Sequence, residues 1–193
     1  MLNLPPLPPE CYVMGVDVGH KQFQVVVRGY YQGHWYLYEA ARVFDDWEDL
    51  DVYFQRYRIE WCVVDLNPDQ RGARRFQQRH YGQVWCCLYR DAGLSHDWSY
   101  DDDWTIKAVR TLALDELFDA FRRGKYRLPG NARELLGGDY YAHLQALVRV
   151  IEPDEFGQLV ARYKHTRPDD FAHAECYAAL AATRLGRWQG WWD

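Results

Sequence analysis

Three observations predict an α/β fold built on a mixed sheet of five or more strands flanked by helices. Three successive segments, YVMGVDVG (12–19), QFQVVVRGYY (22–31) and HWYLYEAARV (34–43), are rich in β-branched and aromatic residues and are separated by hairpin-length gaps. Two later apolar runs, EWCVVDL (60–66) and QVWCCLYR (83–90), do not alternate, as expected of strands covered on both faces. Each of these follows a segment with helical spacing, so a helical crossover can return the chain in parallel.

The elements follow in order. After the third strand, Asp45 or Asp46 caps a helix that turns Trp47, Leu50, Phe54 and Tyr57 to one side. Asn67–Pro68–Asp69 forms a turn and starts a basic helix carrying Arg71, Arg74, Arg75 and Arg79. Residues 91–104 are polar and acidic and read as an irregular loop. Residues 105–123 read as a helix with Val109, Leu112, Leu117, Phe118 and Phe121 inward, ended by Arg122–Arg123–Gly124–Lys125. Residues 139–151 read as helix, or as helix then strand; Gln158–Tyr163 reads as a strand. Residues 169–186 form a final helix capped at Asp169 or Asp170. Three antiparallel strands followed by two parallel additions, with right-handed crossovers that set strand four beside strand one, make the ribonuclease H-like arrangement.

At 193 residues this is one domain, expected over 12–187. The proline-rich lead-in, 1–11, reads as a linker remnant, and 188–193, with Trp188, Trp191 and Trp192, as a C-terminal tail. Hydrophobic residues make up 48%, enough for a core, and charged residues 26%, which excludes a disordered polyelectrolyte. A net charge of −5 excludes a strongly basic nucleic-acid coat but leaves room for acids around a metal and for local basic stripes. No apolar run approaches the roughly 20 residues of a membrane span, and the start has no signal-peptide pattern. Five cysteines, with no C-x-x-C pair, argue against a zinc knuckle or a disulfide framework, so reduced thiols are expected.

The chemistry rests on acids. Asp17 lies inside an apolar strand, on the face opposite Val16 and Val18. Asp65 ends the fourth strand. Strand four beside strand one makes the two carboxylates neighbours at the carboxyl edge, where α/β sheets bind ligands. Two such carboxylates repel unless a divalent cation, which favours oxygen ligands, neutralises them. The final helix offers Asp169 and Asp170, with His173 one turn on and on the face of Asp170. Asp169 alone reads most simply as an N-cap. Four acids suit two Mg²⁺ or Mn²⁺ ions, the arrangement that hydrolyses phosphodiesters. Ala174, Ala178 and Ala181 form a stripe of small residues that lets this helix lie close to the sheet.

Four segments taken in order and spacing, MGVDVG, VVDLNPDQRGARRFQQRHYGQVWCCLY, TIKAVRTLALDELFDAFRRGKYRLP and RYKHTRPDDFAHAECYAALA, resemble the C-terminal nuclease domain of the large terminase subunit of tailed bacteriophages. The resemblance covers about residues 12–185. It implies a metal-dependent endonuclease that cuts concatemeric double-stranded viral DNA during genome packaging, in the cytoplasm of the infected host. It implies Asp17 as the first metal ligand, Asp65 as the second and Asp170 as the leading third, with Asp169 close behind. His173 falls where other members can carry an acid. It also implies an ATPase motor domain, a portal and a small terminase as partners. No G-x-x-x-x-G-K-[ST] occurs, so the chain reads as the nuclease half alone.

Sequence-independent cleavage needs phosphate contacts. Arg71, Arg74, Arg75 and Arg79 form one basic stripe, and Arg122, Arg123, Lys125 and Arg127 a second. Arg162, Lys164, His165 and Arg167 form a third that leads into Asp169–Asp170, with Lys164 placed to steady a phosphate. The alternatives are a resolvase- or transposase-type core on the same fold, or a non-catalytic module docking on DNA or portal. A sugar-kinase-like ATPase would need a second, duplicated domain that this length does not allow.

Overall fold

The computed structural model describes residues 4, 5, 7–44, 46–100 and 103–185. Asp45 and the expected tail with Trp188, Trp191 and Trp192 lie outside them. Strands β1 (Cys11–Val18), β2 (Phe23–Tyr31) and β3 (His34–Val43) form an antiparallel meander. Then come α1 (Asp51–Tyr57), β4 (Trp61–Asp65), α2 (Gln70–Arg79), β5 (Val84–Arg90), β6 (Asp97–Ser99) and β7 (Thr105–Val109). The second half holds α3 (Arg110–Arg122), β8 (Tyr126–Arg127), α4 (Ala132–Leu135), α5 (Gly137–Leu144), β9 (Leu147–Pro153), β10 (Leu159–His165) and α6 (Asp170–Arg184).

The main sheet has eight strands in the order β6-β7-β5-β4-β1-β2-β3-β8, and β9 and β10 make a separate hairpin. As expected, β4 lies parallel to β1, with Val13 opposite Trp61 and Val16 opposite Val64. The fold is the predicted ribonuclease H-like α/β sheet, extended beyond five strands.

The extension corrects three expectations. Residues 105–109 are not the first turn of a helix: TIKAV is β-branched at Thr105, Ile106 and Val109, and it pairs parallel to β5. Helix α3 therefore starts at Arg110. Segment 91–104 is not wholly irregular, since Asp97–Ser99 pairs with β7. The first helix begins later than a cap at Asp46 would place it. Asp46 Oδ1 accepts the Glu48 N–H at 2.9 Å, and i→i+3 bonds tighten residues 46–53 into turns before α1 proper.

Alternation sorts the strand residues between two faces. Met14, Val16, Cys62, Val64 and Cys86 join Ala73 and Phe76 of α2 and Leu50 and Phe54 near α1 in one core. Val13, Val63, Trp85 and Cys87 face α3 and α6 in the other. The α6 side depends on a glycine. A Cβ at Gly15 would collide with the Ala174 carbonyl oxygen and the Ala178 nitrogen, so the helix backbone rests directly on β1. The alanine stripe is the matching surface. All five cysteines are buried. No helix among the described residues is long and apolar enough to cross a membrane.

Candidate active site

The β1–β4 pairing ends at Val16 opposite Val64, and Asp17 and Asp65 are the next residues on the two strands. Val16 and Val64 belong to the α2-side core, so alternation turns the two acids toward α6. Asp17 is 8% exposed. Burial, together with the charges of Asp65, Asp170 and Asp169, pushes its carboxyl well above the usual range. Asp65 Oδ1 accepts the Asn67 N–H at 3.0 Å, and the carboxyl takes a hydrogen bond from the Tyr177 hydroxyl. Burial still outweighs these donors and the nearby His173, so Asp65 too is raised.

The first turn of α6 completes the acidic mouth. Asp169 occupies the N-cap position, but its side chain makes no capping bond. It turns instead to His173, whose Nε2 lies 3.1 Å from Oδ2, and to His165, 3.4 Å away. Arg110, the first residue of α3, stands 3.8 Å from the same carboxylate and 3.4 Å from His173 Nε2. Burial acts to raise Asp169, but His173 and His165 outweigh it and hold the carboxyl below its ordinary range. His173 was expected to share its face with Asp170; its partners are Asp169, one full turn back, and the Tyr89 hydroxyl at 3.3 Å. Asp170 lies 3.6 Å from His143 Nδ1 and is more exposed. That nitrogen accepts the Phe171 N–H at 3.2 Å, so it has no proton to offer Asp170. Burial lowers the His143 imidazole, in keeping with a neutral ring.

The basic residues divide. Arg74 donates to the Asp103 carbonyl at 2.7 Å and to Thr105 Oγ1 at 2.8 Å, tying α2 to the β7 approach. Arg71 and Arg75 are exposed and line a recess with Trp47, Glu48 and Asp69, across the sheet from α6. Arg162 and Arg167 are exposed, while Lys164 pairs with Glu152 on the neighbouring strand. Of the third cluster, His165 touches the acidic mouth directly. The cluster around Arg122 sits at the far end of α3, about 18 Å from Arg110 at 1.5 Å per residue.

Among the described residues, no three His, Cys, Asp or Glu side chains converge as a ready-made cage for one ion. The donors nonetheless suit a hard divalent cation. Every neighbour acting on Asp17 raises its carboxyl, a penalty that a cation relieves. The buried Gln24 amide oxygen, on the residue paired with Asp17, has nothing to accept from. Asp17, Asp65 and Asp170 are the acids free to serve, with Asp169 committed to its histidines.

Arg110, Tyr89 and His143 escaped the sequence reading because each reaches the site from an element other than those that carry the acids; Tyr177 lies on α6 itself, and only the fold shows its bond to Asp65. A second missed group is fully buried: Glu175 on α6 pairs bidentately with Arg28 on β2, at 2.6 and 2.8 Å, and accepts from the Tyr140 hydroxyl. The available signal was a charge inside each of two apolar elements, VVVRGYY and AECYAALAA.

No protein-family model matches the sequence, and no curated protein matches it. Solved structures do. The large terminase nuclease from thermophilic phage G20c with bound magnesium aligns with a TM-score of 0.60 at 14% identity, over 91% of this chain and 82% of that one. The large terminase nuclease domain of Thermus phage P74-26 aligns with a TM-score of 0.55 at 13% identity, over 91% and 83%. The large terminase from another thermophilic bacteriophage gives 0.60 at 14% identity; the match covers 94% of this chain but 41% of that protein. At such identities the likeness is one of architecture: the chain has the ribonuclease H-like fold of phage large-terminase nuclease domains.

Proposed function

We propose that the chain is the nuclease domain of a phage large terminase, a metal-dependent endonuclease that cuts concatemeric double-stranded DNA during packaging. One observation carries the reading: Asp17 and Asp65 stand side by side at the carboxyl edge of the sheet, beneath the acid-bearing start of α6. The likeness to solved structures of phage large-terminase nucleases, one with bound magnesium, supports it.

Asp17, Asp65 and Asp170 would hold two Mg²⁺ or Mn²⁺ ions. When bound, these supply the Lewis acidity that activates water and stabilises the leaving oxygen of a phosphodiester. Tyr177 fixes the Asp65 carboxylate from below, and His173 holds Asp169 through a bond of 3.1 Å. Arg110 presents a fixed cation at the mouth, 33% exposed at its side chain, where a backbone phosphate can meet it. Arg162 and Arg167, both exposed, extend this positive rim. In the intact protein the partners are an ATPase motor domain, a portal and a small terminase, in the cytoplasm of the infected cell.

The test is nicking of supercoiled plasmid in Mn²⁺ with an EDTA control. The wild-type chain nicks with little sequence preference, and Asp17→Asn and Asp65→Asn each abolish nicking while keeping the folded circular-dichroism spectrum. Nicking by either variant at the wild-type rate overturns the assignment. DNA binding without nicking by the wild type would instead make the chain a docking module.

A further inference from the structure

Gln24 is a buried polar residue to which the proposed nuclease site assigns no role. It stands directly opposite Asp17 in the β1–β2 pairing. Side chains of a cross-strand pair leave the sheet on the same face, so Gln24 shares the α6 side with the acids. It is 1% exposed, and its Oε1 is buried without a hydrogen-bond partner. An amide oxygen withdrawn from water and left unpaired destabilises the fold that contains it.

Among the described residues this oxygen has no hydrogen-bond donor. Its cross-strand neighbour on β3 is Arg42. The Arg42 guanidinium is turned to Asp139 at 3.1 Å and lies 5.9 Å from the centre of the Phe171 ring. Asp17, on the other side, is a second oxygen acceptor when ionised. With Asp17 ionised, the form that a bound cation favours, an acceptor beside acceptors is satisfied by a cation.

We propose that Gln24 supplies a neutral oxygen ligand to the divalent cation held by Asp17 and Asp65. The proposal rests on the nuclease reading and adds a ligand to its site. A neutral amide suits this position for an electrostatic reason. Asp17 already faces Asp65, Asp170 and Asp169, so a further carboxylate would add repulsion, whereas an amide adds coordination without charge. Amide carbonyls are ordinary ligands of hard cations, and a thioether is not. Methionine at position 24 is therefore the informative replacement: similar in size, apolar and soft.

The experiment reads Mn²⁺ binding to the whole metal-free chain, without DNA, by electron paramagnetic resonance of the free ion, alongside melting temperatures. Gln24→Met is expected to weaken Mn²⁺ binding about tenfold, in the range seen when groups supporting a metal site are lost. Its metal-free melting temperature should equal or exceed that of the wild type, because the unpaired amide is gone. A merely structural glutamine would show the reverse pattern, with lower stability and unchanged binding. Gln24→Glu, which restores an oxygen, should bind Mn²⁺ at least as tightly as the wild type; loss of binding in the folded Gln24→Glu chain would overturn the proposal. Asp17→Asn separates the two layers of inference. If it loses Mn²⁺ while Gln24→Met binds like the wild type, Gln24 is no ligand and the nuclease reading stands. If Asp17→Asn itself binds like the wild type, the metal site and the Gln24 proposal fail together.

Discussion

Asp169 and Asp170 are adjacent in sequence and differ in what surrounds them. Asp169 is drawn into a knot with His173, His165 and Arg110, and the two histidines hold its carboxyl low despite burial. Asp170 instead meets His143, whose Nδ1 faces it at 3.6 Å while accepting the Phe171 N–H. A carboxylate already engaged by His173 at 3.1 Å and facing the Arg110 guanidinium at 3.8 Å has less to gain from a metal, so Asp170→Asn should abolish Mn²⁺-dependent cleavage, whereas Asp169→Asn should retain a measurable rate. Single-turnover cleavage across a Mn²⁺ titration checks this, and a dead Asp169→Asn beside a normal Asp170→Asn would reverse the roles. At this scale the sequence was readable where a residue breaks its own pattern. Asp17 interrupts an apolar strand, and Asp65 closes one. Arg110 and Tyr89 break no pattern in their own elements, and their relevance comes from distances that only the fold sets. The pairing of His173 with Asp169 illustrates the limit: spacings of three and four are both neighbours on a helix, and surroundings decide between them.

The elements were legible where periodicity was strong, and β7 shows where it was not. Five residues of strand run straight into thirteen of helix, and the apolar positions of TIKAV fit either period over so short a span. What decides is the free edge of β5, which no local pattern reports. Two elements also carry testable local devices. At the start of α2, Asp69 accepts the Gly72 N–H at 2.9 Å and the Trp47 indole N–H at 3.0 Å. These two bonds, the backbone one foremost, hold its carboxyl below the usual range. Asp69→Ala should cost about 1 kcal/mol at neutral pH. A depressed folded-state value means that this contribution is complete above the unfolded value, about 3.9, and disappears as pH falls through the lower folded value. Urea denaturation of the two chains at pH 7 and near pH 3 tests it; a difference that grows on acidification would contradict the assignment. At the β1–α6 contact, Gly15→Ala forces a methyl into the Ala174 carbonyl oxygen. The helix must lift, which should cost about 3 kcal/mol. Because the lifted helix carries the acids at its start, cleavage should also fall about 100-fold. Unchanged cleavage in Gly15→Ala would mean that α6 does not need to lie against β1.

At the scale of the whole molecule, the position of α6 depends on a charge pair that joins several elements. Arg28 and Glu175 are fully buried, with no exposure on either side chain. Arg28 also donates to the carbonyls of Trp35, on β3, and Arg127, on β8, and its guanidinium lies 4.2 Å from the centre of the Tyr126 ring. Tyr140 of α5 donates to Glu175. Burial acts against the Arg28 charge, but Glu175 beside it more than compensates and holds the guanidinium protonated. Burial and Glu175 together keep the Tyr140 hydroxyl protonated as a donor. The sequence announces each charge but not their partnership, since 147 residues separate them. The physics of buried pairs makes the outcome of substitution asymmetric. Removing one partner strands a charge in the core, so Glu175→Leu and Arg28→Met should each destabilise by about 3–5 kcal/mol. Replacing both removes the desolvation cost as well, so the double variant should recover most of that loss. Stability and cleavage should then part company. A restored core without its bidentate clamp can hold α6 by packing alone, but it leaves the helix free to slide along β1, and cleavage depends on where Asp170 and His173 come to rest. The double variant should therefore melt near the wild type while cleaving more slowly, and equal recovery of both would show that the pair sets stability but not the register of the active site.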